Sequence, residues 1–91
     1  MVQQEMLIQN KLGLHARAAA KLVRIATGFR SEIHLTRIGK NELVNAKSVL
    51  GILMIAARTG TRLQVTANGP DESAALQAIE ELVNNRFGEA E

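Results

Sequence analysis

Apolar residues along this chain follow two rhythms. In the first, Ile33 and Leu35 alternate with Glu32, His34 and Thr36, and Leu63, Val65 and Ala67 alternate with Gln64 and Thr66. A period of two places one set of side chains on a single face, which predicts two half-buried strands. In the second, Ala19, Leu22, Val23 and Ala26 recur at helical spacing from Ala16 onward, while Arg17, Lys21 and Arg24 fall on another face. Ala75, Leu76, Ile79, Leu82, Val83 and Phe87 make a similar stripe near the end of the chain. Two shorter apolar runs complete the pattern: Met6 to Gln9 predicts a strand, and Ser48 to Ala57 a short helix.

Turn-forming residues separate these segments. Gly13 lies in a loop from Lys11 to His15, and Gly28 stops the first helix. Gly39 with Asn41 marks a turn leading to Leu43 and Val44, which predicts a hairpin with the strand before it. Gly60 ends the short helix. Asn68-Gly69-Pro70 opens the last one, with Pro70 expected at its first position and Asp71 and Glu72 at the positive end of its dipole. The predicted order is β-α-β-β-α-β-α. Short strands with alternating faces suit an antiparallel sheet. The expected fold is α+β, an open-faced two-layer sandwich in which three helices cover one face of a four-stranded antiparallel sheet. Its length suggests one domain spanning residues 1–91.

Charge refines this picture. The net charge of +2 is too small to point to nucleic acid, and Phe29 and Phe87, the only aromatics, provide no stacking surface. The distribution is more telling. Five basic residues and no acidic one lie between Lys11 and Arg30, whereas Asp71 to Glu91 holds six acidic residues against Arg86 alone. Two readings fit this: both runs are solvated helix faces with charges at their dipole-favoured ends, or the first helix presents a positive surface to an anion or an acidic partner. Cysteine is absent, which is compatible with a cytoplasmic location. Neither a secretory signal nor a membrane-length apolar run is read in the chain. His15 and His34 are too far apart in sequence to suggest a metal site, and no Gly-Lys-Ser/Thr phosphate loop follows a strand. No cofactor is expected.

The most unusual local feature is "GLHARAAAKLV", Gly13 to Val23. Helices normally begin at Ser, Thr, Asp or Asn, and here His15 takes that place. Its imidazole should lie beside the free amides of the first turn, where the helix dipole attracts anions. Arg17 can direct a guanidinium fork at the same spot. The same field favours the neutral ring, whose free nitrogen lone pair can attack phosphorus. Phosphoryl transfer asks a protein mainly for positioning and charge stabilisation, which this arrangement could supply. An exposed polar residue is the bland alternative.

Together with "NAKSVLGILM", Asn45 to Met54, this stretch resembles the HPr family, the histidine-containing phosphocarriers of bacterial phosphotransferase systems. The resemblance spans essentially the whole chain. It implies that His15 accepts a phosphoryl group on Nδ1 from phosphorylated enzyme I and hands it to a histidine of an enzyme IIA domain, with Arg17 as the active-site arginine. Such a protein is a stoichiometric carrier rather than an enzyme. Ser48 matches a serine phosphorylated by HPr kinase/phosphorylase in bacteria that possess it; an N-cap serine is the simpler role. Leu14, Ala20, Val49, Leu50 and Leu53 match a docking patch, with Lys21, Arg24 and Lys47 at its rim. A monomer without membrane insertion is expected. Ala18 stands where the family commonly has proline, and the "HARAAA" form is similar to nitrogen-branch (NPr-type) members. A mainly regulatory docking module is thus the alternative to a carrier for sugar uptake.

Overall fold

The computed structural model describes all residues, 1–91. It comprises β1 (Val2–Leu7), α1 (Ala16–Thr27), β2 (Glu32–Arg37), β3 (Val44–Asn45), α2 (Val49–Ile55), β4 (Arg62–Asn68) and α3 (Glu72–Asn84), followed by a single 3₁₀ turn over Arg86–Gly88. The four strands form one antiparallel sheet in the order β1-β4-β2-β3. The three helices cover one face, the architecture the alternation predicts.

Register explains the two-faced sheet. Met6 is opposite Leu63, Leu35 opposite Val65 and Ile33 opposite Ala67, so these apolar side chains stack across neighbouring strands. All six are buried, within a core of 21 hydrophobic residues. His34 and Thr36 project to the other face with Gln64 and Thr66. α1 contributes Ala18, Ala19, Leu22 and Ala26, and α3 contributes Ala75, Leu76, Ile79 and Val83. Small alanines on α1 let it pack closely against α2 and α3.

Several boundaries differ from expectation. β1 starts at Val2 rather than Met6, because pairing with β4 supplies the hydrogen bonds of a segment too polar to look like a strand by itself. Ile8 is fully buried just beyond it. β3 has only two residues, and Leu43 is 66% exposed outside it. Pro70 precedes α3 instead of opening it, and Asp71 occupies the N-cap without capping through its side chain. Instead the Asp71 carboxylate accepts from the Arg30 and Ser31 amides, both at 2.9 Å, and from the Ser31 hydroxyl at 2.6 Å. This ties α3 to the α1–β2 connection. The Ser31 hydroxyl contact, with the Arg30 amide next, holds the Asp71 carboxyl below its usual pKa. Glu72 accepts from the Gly69 amide at 3.1 Å and so closes the turn that leads into α3. Phe87 is buried as expected, but it leaves α3 and lies in the following turn with φ +56°.

Candidate functional site at the start of the first helix

The loop before α1 is positioned by backbone contacts. Gly13 adopts φ +65° and passes so close to the end of α2 that a Cβ there would lie 2.4 Å from the Ala57 carbonyl oxygen. The next amide, that of Leu14, donates to the same oxygen at 2.9 Å. Asn10, fully buried, donates through Nδ2 to the Gly13 carbonyl at 2.8 Å. Together these fix the chain direction into His15.

His15 is the N-cap of α1, with extended backbone at φ −73° and ψ 178°. Its Nδ1 accepts from the Arg17 amide at 3.3 Å, taking the part a Ser or Asp oxygen usually plays. The amides of Ala16 and Ala18 make no hydrogen bond within the protein, and that of Ala16, an exposed residue, remains an open donor at the helix start, whereas Ala18 is buried. Because Nδ1 accepts, the ring hydrogen belongs on Nε2, and Nε2 donates to Oε2 of Glu89. The His15 side chain keeps 25% of its surface exposed. Its ring is therefore held at the surface beside α1 and is not enclosed in the core.

Arg17 is exposed. With Lys11 and Lys21 it lines an open cleft of about 640 Å³ whose other charged wall is Glu89 and Glu91. The acidic end of the chain thus lies against the basic first helix. Lys21 donates from Nζ to the Phe87 carbonyl at 2.7 Å, which fastens the final turn to α1. Burial is the largest influence on the Glu89 carboxyl and pushes its pKa up. Hydrogen bonds from Asn10 and His15, with the electrostatic attraction of the His15 N–H and the Arg17 charge, outweigh it and leave the pKa below the usual value.

α2 forms the neighbouring part of the surface. Ser48 is its N-cap and accepts through Oγ from the Gly51 amide at 3.1 Å. Val49, Leu50 and Leu53 are 40%, 70% and 37% exposed, whereas Ile52 and Ile55 enter the core. Ala20 and Arg24 are exposed on α1. Lys47 is half-buried and donates to the Phe29 carbonyl at 2.8 Å. Leu14 is the correction among these positions: at 4% exposure it is a core residue, turned inward by the bond between its amide and Ala57. Glu89 and Asn10 are the site residues that sequence reasoning missed. Only the acidic composition of the last segment hinted at Glu89, and nothing local marked Asn10.

A small open-faced sandwich with an accessible histidine at a helix start has the architecture of phosphocarrier proteins. A family model described as "PTS HPr component phosphorylation site" matches residues 2–85. The chain therefore belongs to the HPr family, whose members carry phosphoryl groups within the phosphotransferase system and are not catalytic enzymes. Phosphocarrier protein HPr of Cupriavidus necator is 46% identical over 91 residues, covering 100% of both chains. The crystal structure of HPr-C-His from Thermoanaerobacter tengcongensis matches with TM-score 0.94 and 38% identity, again over 100% of each chain. A structure described as an HPr dimer from the same organism matches with TM-score 0.77 and 39% identity, covering 98% of this chain and 100% of that one. No helix is long and apolar enough to cross a membrane.

Proposed function

We propose that the protein accepts a phosphoryl group on Nδ1 of His15 from phosphorylated enzyme I and passes it to a histidine of an enzyme IIA domain. The observation that carries this reading is the His15 ring itself. Its Nδ1 lone pair faces the first turn of α1, where the Ala16 and Ala18 amides are unpartnered and the Arg17 amide donates. An arriving phosphoryl group displaces that one long hydrogen bond and meets the Ala16 and Arg17 amides, the positive end of the dipole and the exposed Arg17 guanidinium. Little else is required for transfer, since the chemistry depends on positioning and charge.

The partner surface is the face around this site: Ala20 and the exposed Val49, Leu50 and Leu53, with Lys21, Arg24 and Lys47 around them. An apolar centre with a basic rim suits a transient partner whose own rim is acidic. Ser48 serves as an N-cap and, where HPr kinase/phosphorylase is present, as a regulatory phosphorylation site. The protein acts as a monomer in this cycle.

Incubation with enzyme I and phosphoenolpyruvate tests the assignment. Phosphorus NMR should report one acid-labile, base-stable phosphohistidine bonded through Nδ1, and His15→Ala should abolish it. Full labelling of His15→Ala would refute it.

A further inference from the structure

The last six residues lie beyond the span matched by the family model, and they contact the histidine directly. We infer that Glu89 is a positioning residue for phosphoryl transfer: its carboxylate holds the hydrogen on Nε2 of His15, which keeps the lone pair on Nδ1, and it opposes the positive charge the ring gains as the Nδ1–P bond forms. The inference rests on His15 being the phosphoryl acceptor.

The segment that delivers Glu89 is anchored at several points. Phe87 is fully buried. Arg86 and Phe87 both adopt left-handed backbone, at φ +53° and +56°, and so turn the chain back across the start of α1. Non-glycine residues reach that region only at a cost in strain, which the burial of Phe87 offsets. The Lys11 amide donates to the Glu91 carbonyl at 3.0 Å, and Lys21 holds the Phe87 carbonyl. Asn10 donates to Oε1 of Glu89 at 3.0 Å, which leaves Oε2 for His15. The Glu89 side chain is only 12% exposed, so little water competes for the carboxylate. An oriented carboxylate on one ring nitrogen sets the tautomer and hence the chemistry of the other.

The transfer step follows directly. The Nδ1 lone pair forms the N–P bond as the bond from phosphorus to its donor breaks, and that electron pair leaves with the donor. The ring becomes a phosphoimidazolium that still carries its Nε2 hydrogen, now facing the Glu89 carboxylate. On delivery to the acceptor the Nδ1–P pair returns to the ring. The charged hydrogen bond is strongest while the ring is cationic, so Glu89 lowers the barrier to loading without being consumed.

Nitrogen-15 NMR of the unphosphorylated protein and the rate of phosphorylation by enzyme I test this together. The native protein should show mainly the Nε2–H tautomer. Glu89→Ala should measurably reduce the excess of the Nε2–H tautomer, which the Arg17 amide at Nδ1 then favours without the carboxylate, and slow phosphorylation about tenfold, the order expected for losing one charge-assisted hydrogen bond at a partly buried site. Glu89→Gln, which keeps an acceptor but no charge, should retain part of the tautomer bias and remain slow, and Glu89→Asp should recover most of the rate. An unchanged tautomer ratio in Glu89→Ala would overturn the proposal. So would faster phosphorylation, which would make the carboxylate a cover over the ring. A failure of His15 as acceptor looks different, because the native protein would then take up no label or His15→Ala would keep it. The tautomer measurement needs no phosphorylation and stands apart from that outcome.

Discussion

Replacing Gly13 by alanine should damage the protein far more than the same change at Gly39 or Gly60, where an added Cβ would meet nothing within 4 Å. The added Cβ would lie 2.4 Å from the Ala57 carbonyl oxygen and 2.9 Å from the Arg58 Cα, both backbone atoms that a rotamer change cannot move. Forcing atoms into a packed contact costs roughly 1–3 kcal/mol. The backbone at φ +65° adds roughly 1–2 kcal/mol for a residue with a Cβ. The total, roughly 2–5 kcal/mol, is a large part of the roughly 5–14 kcal/mol expected for a chain of this size. Gly39 supplies the control. Its φ is +87° but nothing lies within 4 Å of a built Cβ, so Gly39→Ala should show the strain alone. Each kcal/mol corresponds to roughly 4–8 °C in Tm for a domain this small. Urea and thermal unfolding of the two variants should therefore separate by several degrees or more, with Gly13→Ala the weaker. Equal losses in the two would show that the close approach to Ala57 does not hold the loop. The contact matters for function because His15 follows two residues later.

Two other substitutions probe separate parts of the same surface. Ser48→Ala should cost about 1 kcal/mol in denaturant unfolding by orphaning the Gly51 amide, whereas Ser48→Asp, another good N-cap, should leave stability nearly unchanged. A Ser48→Asp variant as unstable as Ser48→Ala would remove the cap as the reason. Asp71 tests the acid side. Its pKa lies below its ordinary value of 3.8, chiefly through the Ser31 hydroxyl and the Arg30 amide. A carboxyl lowered on folding adds stability that is complete above its unfolded pKa and is lost as pH falls through the folded one. The stability gap between the native protein and Asp71→Asn should thus hold from neutral pH down to about 5 and close below 3.8. Urea midpoints measured across that range would contradict this if the gap widened in acid.

Sequence alone settled what depends on neighbours a few positions apart. Alternation at Ile33–Leu35 and Leu63–Ala67 placed two strands and their inner faces, and the stripes of α1 and α3 named most of their buried residues, although they missed Ala18 and included Val23 and Leu82, which are only partly buried. It also placed His15 at a helix start with Arg17 beside it, because a cap and its first turn are a local matter. β1 was only half legible. Gln3, Gln4 and Glu5 lack a strand's apolar rhythm and pair because β4 offers them hydrogen bonds. Leu14 looked like surface until the contact with Ala57 turned it inward.

Tertiary structure alone decided the rest. Asp71 serves the Arg30–Ser31 backbone about 40 positions away rather than its own helix, and Glu89 reaches His15 across 74 positions. Neither contact repeats at any spacing, so no pattern along the chain can announce it. Each exists because the core brings distant backbone together: Phe87 is buried, the final turn bends back, and a carboxylate meets the imidazole at the start of the first helix.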